Sequence, residues 1–205
     1  DICCFYICSI AVFIKTDFNF WQQKRKTIMK NARTAAYTAL LQVDVNAGYS
    51  NIVIDKAIKE ADLDQRDASL AAAIFYGVLE RRITLDYIIN QFSKVKVNKM
   101  KPLIRTILRS SVYQMKYMDS VPDSAICNEA VKLAGKRGFV NLKGFVNGVL
   151  RNIGRNLNKI SYPDEKDQEA FISIKYSLPE WMVKQWLKVY DEAVSYTHLR
   201  AHETP

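Results

Sequence analysis

Histidine is almost missing from this chain, and glycine and proline are scarce. The 205 residues include two His, seven Gly and five Pro. Both histidines, His198 and His202, stand close to the C-terminus. The long stretch before them therefore lacks a His general base, a Ser–His or Cys–His pair and an imidazole metal ligand. Few Gly and Pro argue against a turn-rich sheet and suit long helices. Neither a Walker phosphate loop nor a Gly-x-Gly-x-x-Gly turn occurs, so the usual glycine-rich nucleotide cradles are excluded. Cysteine is sparse and uneven: Cys3, Cys4 and Cys8 open the chain, and Cys127 is alone in the rest. A solitary thiol builds no disulfide framework, and a reducing cytoplasm is the expected compartment. Cys127 follows Ser124-Ala125-Ile126 and reads as a small packed hydrophobe rather than a nucleophile.

Apolar residues make up 49% of the chain and charged residues 25%, the profile of a globular protein. The net charge of +9 comes from 30 Lys plus Arg against 21 Asp plus Glu. Such an excess suits a polyanionic partner, since basic side chains on phosphates release condensed counterions. A solvated basic surface would give the same number.

The two ends differ from the middle. Ile2 to Ile14 is almost wholly apolar, yet shorter than the roughly 18 to 20 residues a membrane span needs. It also lacks the basic start and small-residue cleavage site of a signal peptide. No membrane association is expected. Met29-Lys30 opens a patterned helical sequence, so residues 1–28 read as translated upstream DNA, with Lys24-Arg25-Lys26 compatible with a purine-rich ribosome-binding site. The last residues, Ser195-Tyr196-Thr197-His198-Leu199-Arg200-Ala201-His202-Glu203-Thr204-Pro205, resemble translated sequencing-adapter DNA, and 194–205 is read as such a tail. The His198-x-x-x-His202 spacing would suit one helical face, but no carboxylate-rich helix accompanies it, and no metal site is expected. Between these ends, 29–193 holds 25 basic and 18 acidic residues.

Within that body, apolar residues recur at intervals of three and four. Ala36, Leu40, Leu41 and Val43 mark a first helix, followed by a turn at Asn46-Ala47-Gly48. Ile52, Ile54, Ala57 and Ile58 mark a second, Leu70, Ile74, Val78 and Leu79 a third, and Leu85, Ile88 and Ile89 a fourth. A long fifth carries Leu103, Ile104, Ile107, Leu108, Met115 and Met118. After Val121-Pro122, Asp123 or Ser124 can cap a sixth helix that Gly135 and Gly138 close. Phe145, Val146, Val149, Leu150 and Ile153 make a seventh. Sustained strand alternation is absent, so the expectation is an all-α bundle of about seven helices. Residues 29–157 form that domain. Residues 158–193 read as a connector opening a further module, with a turn at Tyr162-Pro163-Asp164 and one extra helix. Ser177-Leu178-Pro179-Glu180 offers that helix a capping box. Its Trp181, Trp186 and Tyr190 lack a partner domain, so the helix should be frayed or stuck to the bundle.

No catalytic constellation emerges. Asp64 with Asp67, and Asp164 with Glu165, sit in helix-start or loop contexts that suit solvated caps. Gly144 and Gly148, four apart on the seventh helix, suit close helix packing better than ligand contact. The body reads as a binding module whose candidate residues are basic. Arg81 and Arg82 are placed at the end of the third helix, where cations complement the helix dipole. Lys132, Lys136, Arg137, Lys143, Arg151 and Arg155 gather in the sixth and seventh helices. Such side chains position RNA through its phosphates, with Tyr or Phe available for stacking. A solvated basic face is the plainer explanation for any one of them.

Several words fall in a recognisable order: Arg33-Thr34-Ala35-Ala36, Tyr76-Gly77-Val78-Leu79, Leu108-Arg109 with Tyr113-Gln114-Met115, Val121-Pro122, Asn128-Glu129-Ala130-Val131, and Phe145-Val146-Asn147-Gly148-Val149-Leu150-Arg151. Across about residues 31–155 they resemble the NusB family, an all-helical RNA-binding fold. The forms Tyr76-Gly77-Val78-Leu79-Glu80-Arg81 and Val149-Leu150-Arg151, with the continuation Tyr176-Ser177-Leu178-Pro179-Glu180-Trp181, are similar to the N-terminal region of bacterial small-subunit (16S) ribosomal RNA cytosine-5 methyltransferases. That resemblance implies ribosomal RNA as partner, a catalytic domain absent from this chain, and S-adenosylmethionine as that domain's cofactor. Its Pro-Cys and Thr-Cys motifs do not occur here and Cys127 matches neither, so this piece should be inactive alone. The NusB resemblance also implies RNA contacts around Arg33. Two other readings stay open: an antitermination factor binding RNA with a ribosomal protein, and a helical protein-docking module that touches no RNA.

Overall fold

The computed structural model describes residues 31–46, 50–164 and 166–189. The proposed upstream segment 1–28, the adapter-like tail 194–205, and Ala47 and Gly48 of the first turn lie outside the described residues. Among them the chain is all-α, with nine α-helices: α1 Ala32–Asn46, α2 Ser50–Ala61, α3 Gln65–Glu80, α4 Arg82–Phe92, α5 Pro102–Tyr117, α6 Asp123–Lys136, α7 Lys143–Arg155, α8 Gln168–Tyr176 and α9 Glu180–Val189. The first seven match the seven apolar stripes of the sequence. The chain divides after Phe75 into two compact units.

In the first unit, α1 packs on α2. Asn31 caps α1, its Oδ1 accepting the Arg33 N–H at 2.9 Å, as Asn does well at that position. Ala32, Ala35, Ala36 and Ala39 are buried on α1 beside the fully buried Tyr37; alanine favours the helix and takes little room. Ile54, Ala57 and Ala61 give α2 its buried stripe, spaced as one helical face requires.

In the second unit, α5 is central, packed on by α4, α6 and α7. Pro102 begins it where a missing N–H costs nothing. Residues 106–112 are buried without interruption, so α5 must satisfy its buried polar groups internally. The Thr106 hydroxyl donates to the Pro102 carbonyl at 2.9 Å, Ser110 to Ile107 at 3.0 Å, and the Gln114 amide to Ser110 at 2.9 Å. The charged Arg109, also buried, forms a two-pronged bond to Asp86 on α4, Nε to Oδ1 and an Nη to Oδ2, each 2.6 Å. Nearby, the Cα of Gly77 lies against the Tyr113 ring so closely that a Cβ would overlap it. α6 and α7 form an antiparallel hairpin, with Gly135 near Lys143 at one end and Gly154 near Asp123 at the other. α6 ends in a Schellman motif. Gly138 takes φ +86°, the Phe139 N–H bonds the Ala134 carbonyl at 3.0 Å, and the Gly138 N–H bonds Gly135 at 3.2 Å.

Four sequence expectations change. Asp123 and Ser124 do not cap α6; Pro122 occupies the cap position with no side-chain bond, its carbonyl taking the Ala125 and Ile126 N–H groups at 2.9 and 3.2 Å. Gly144 and Gly148 face open space, so close packing does not explain them. The connector is not only a linker: α8 forms within it on an Asp167 cap whose side chain accepts the Ala170 N–H. The capping box at 177–180 does not form either. Ser177 ends α8 in the left-handed region at φ 58°, and its hydroxyl accepts the N–H of Ile83 at 3.0 Å.

That last bond ties the connector to the bundle. Ile83 is the second residue of α4, whose N–H has no partner within its own helix, and the cap position is held by Arg81, which offers no acceptor. Ser177 supplies the oxygen from 94 positions away. In return Thr84 donates its hydroxyl to the Ile174 carbonyl in the last turn of α8 at 2.5 Å. The positive end of α4 thus meets the negative end of α8. Gln91 closes the other end of the seam, exchanging bonds with Ser161 at 2.5 and 3.3 Å. A small core of Phe171, Ile172 and Val183, flanked by Tyr162, Tyr176, Leu178, Trp186 and Leu187, joins α8 to α9. α9 is therefore packed against α8 rather than frayed, while Trp181 stays exposed.

Two stability predictions follow from these contacts. Asp86→Ala strands a buried guanidinium and should cost about 3 kcal/mol or more in urea unfolding; a loss near zero would show the ion pair to be dispensable. Ser177→Ala should cost about 1 kcal/mol and speed hydrogen exchange at the Ile83 amide. Ser177→Gly should cost less, because glycine tolerates the positive φ.

Candidate nucleic-acid interface

Within the second unit, the basic residues singled out in the sequence do not form one patch. Arg33 lies in the first turn of α1, half-buried, and belongs to the first unit. Lys136 is exposed and Arg137 half-buried at the C-terminal end of α6, where cations suit the dipole. Lys143 opens α7, and its stem lies across Gly135 at that same end of the hairpin. Arg151 and Arg155 are exposed further along α7. At 1.5 Å per residue, Arg155 is about 18 Å from Lys143 along the helix. The set splits into two groups, one at each end of the α6–α7 hairpin. Lys132 is held by Glu129 one turn away at 2.9 Å. The exposed glycines 144 and 148 share the exposed face of α7 with Arg151 and Arg155, so a partner could reach the helix backbone there without meeting a side chain.

Arg81 and Arg82 need correction. α3 stops at Glu80; Arg81 follows it, its N–H still bonding the Gly77 carbonyl at 3.1 Å, and is at once the cap residue of α4, of which Arg82 is the first residue. They sit at the positive end of a helix, where the dipole disfavours cations.

Around Arg81 the structure assembles groups the sequence reading did not connect. Its guanidinium carbon lies 4.5 Å from the centre of the Tyr117 ring. Lys116 Nζ is 5.6 Å from the same ring and 5.0 Å from the ring of Tyr162, whose hydroxyl it also contacts. Tyr113 stacks on Tyr117 at 5.4 Å with a 33° tilt. Burial, reinforced by the charge of Arg81, lowers the Lys116 pKa against an opposing pull from Tyr117. Burial raises the phenols of Tyr113 and Tyr162, with Arg81 opposing in both. Tyr113, Lys116 and Tyr117 share one face of α5 at three- and four-residue spacing, a signal visible in the sequence; Tyr162, 45 residues beyond Tyr117, is brought there only by connector docking.

Cys127 is buried. Burial raises its thiol pKa above 9.0, with Arg151 lowering it and Asp123 raising it, consistent with a packing role. No helix among the described residues is long and apolar enough to cross a membrane.

The helix order, with seven apolar-striped helices before the connector and basic residues at helix ends, defines an all-α family with known members. The NusB family profile matches residues 30–155, and the chain belongs to the NusB family. It is 38% identical over 137 residues to the transcription antitermination protein NusB of Bacillus pumilus, covering 66% of this chain and 98% of that protein. Over 175 residues it is 35% identical to the probable ribosomal RNA small subunit methyltransferase B of Bacillus subtilis, 85% of this chain but 39% of the relative. The chain thus spans about two fifths of the length of such methyltransferases. Among solved structures, T. maritima NusB superposes with a TM-score of 0.57 at 23% identity, covering 62% of this chain and 90% of that one. The crystal structure of PH0851 superposes with a TM-score of 0.67 at 18% identity, covering 86% and 39%. Both share the fold.

Native Cys127 should resist alkylation at mildly alkaline pH and react once urea unfolds the chain, as followed by peptide mapping. Because its folded pKa is raised, its stabilising contribution is full below pH 9.0 and is lost as pH climbs through the folded value. Fast labelling of the native thiol would contradict this burial.

Proposed function

We propose that this chain is the RNA-binding N-terminal part of a bacterial 16S ribosomal RNA cytosine-5 methyltransferase. It docks ribosomal RNA for a catalytic domain that follows it in the longer relatives. The observation that carries this reading is the extent of the likeness. The match to methyltransferase B runs over 175 residues, against 137 for the antitermination protein, and the additional sequence corresponds to a connector bonded to α4 through Ser177, Thr84 and Gln91. A bundle that uses its connector to complete a helix cap is suited to carry a further domain at a set position.

S-adenosylmethionine belongs to that catalytic domain in this reading. The described residues contain no strand and no glycine-rich strand-to-helix turn, the parts a Rossmann-like cofactor site is built from. Arg33, Arg81, Arg82, Lys136, Arg137, Lys143, Arg151 and Arg155 are the side chains offered to RNA phosphates in this reading. A second reading, an antitermination factor acting with RNA and a ribosomal protein, is favoured by the 98% coverage of the B. pumilus protein.

Deleting the gene and mapping 5-methylcytosine in the small-subunit ribosomal RNA by bisulfite sequencing tests the first reading. Loss of one modified position, restored by the intact gene, is the expected result. An unchanged methylation pattern together with defective ribosomal RNA transcription would transfer the chain to the second reading.

A further inference from the structure

We propose that Arg81, Lys116 and the ring of Tyr117 form a seat for a phosphodiester of an RNA backbone, located where the connector meets the bundle. The proposal deepens the RNA-binding reading above and rests on it.

Two cations share one aromatic ring here, Arg81 at 4.5 Å and Lys116 at 5.6 Å from its centre. Among the described residues, neither forms an ion pair with a carboxylate. This contrasts with Arg109 in the same unit, whose guanidinium is matched to Asp86 by two bonds of 2.6 Å. Like charges gathered with no carboxylate in ion-pair contact repel, and a half-buried ammonium loses hydration as well. The pKa of Lys116, lowered by burial and by Arg81 against the opposing effect of Tyr117, accords with that tension. Arg82 and the positive end of α4 add to the local field. Glu80, next in sequence to Arg81, is exposed and acts on Tyr113.

An anion placed between Arg81 and Lys116 would relieve the repulsion. Phosphate fits the chemistry: a guanidinium offers a planar fork to two oxygens, and an ammonium adds a point charge. The Tyr117 ring holds both cations in one place, and aromatic rings with neighbouring cations are the parts that hold single-stranded nucleic acid without reading its sequence. Tyr162 links the seat to the connector through Lys116, so a ligand here would also favour the docked connector.

The test measures binding of a short single-stranded RNA of mixed sequence to the full chain across a salt series, with inorganic phosphate titrated separately. Arg81→Gln and Lys116→Gln should each reduce the slope of log K against log salt by about 0.7, the share of one phosphate contact on a single strand. Lys116→Arg, which keeps the charge, should retain the slope, and so should Lys99→Gln on an exposed turn. Thermal melts establish that each variant folds; if a Gln variant does not, Arg81→Lys replaces it and should weaken binding while leaving most of the slope. Wild-type slope and affinity in all folded variants would overturn the seat and leave the RNA-binding reading intact. No RNA binding by the wild-type chain would overturn both. Variants that lose only a response to inorganic phosphate, with RNA binding unchanged, would mark a free-phosphate site and overturn the assignment to RNA.

Discussion

A buried guanidinium sits at the centre of the second unit, and much of the surrounding structure depends on how it is neutralised. Arg109 lies in the middle of α5, in a stretch buried on all sides, where an unpaired charge would be severely destabilising. Its two bonds to Asp86 fix α4 in both position and rotation, since a bidentate pair tolerates little sliding. Asp86 lies between Thr84 and Gln91 on α4, and these are the residues that hold the connector. A charge match between two bundle helices therefore sets where the segment after the bundle can dock.

The docking itself rests on helix ends. α4 begins at a residue that cannot cap it, and α8 ends in a left-handed serine with a free acceptor. Each supplies what the other lacks, and the two dipoles meet head to tail. This explains why the segment after residue 157 folds against the bundle although its apolar core is small. It also explains the strained φ of Ser177: the hydroxyl is held where the Ile83 N–H needs it.

In the second unit the basic residues are distributed rather than concentrated. Two groups occupy the ends of the α6–α7 hairpin, and Arg81 joins Lys116 on an aromatic ledge. A distributed positive surface suits a partner that is itself extended and uniformly charged, such as a nucleic-acid backbone, better than a compact anionic ligand. Belonging to the NusB family accords with that arrangement.

The seven apolar stripes, the all-α class, the buried Cys127 and the order of family words were all legible along the chain, because helical periodicity and burial are local consequences of side-chain spacing. The boundary between α3 and α4 is harder to read: a one-residue break leaves the apolar pattern almost unbroken, so spacing does not show that Arg81 also caps α4 and that Arg82 begins it. Gly144 and Gly148 show the same limit, since spacing indicates a shared face but not what lies opposite it. The pairing of Arg109 with Asp86, the capping of Ile83 by Ser177 and the gathering of Arg81, Lys116 and Tyr162 join residues 23 to 94 positions apart. Contacts at such separations leave no periodic trace in one sequence. Tertiary packing decided them, because only the folded chain brings a charge, a missing cap or an aromatic face to the group that satisfies it.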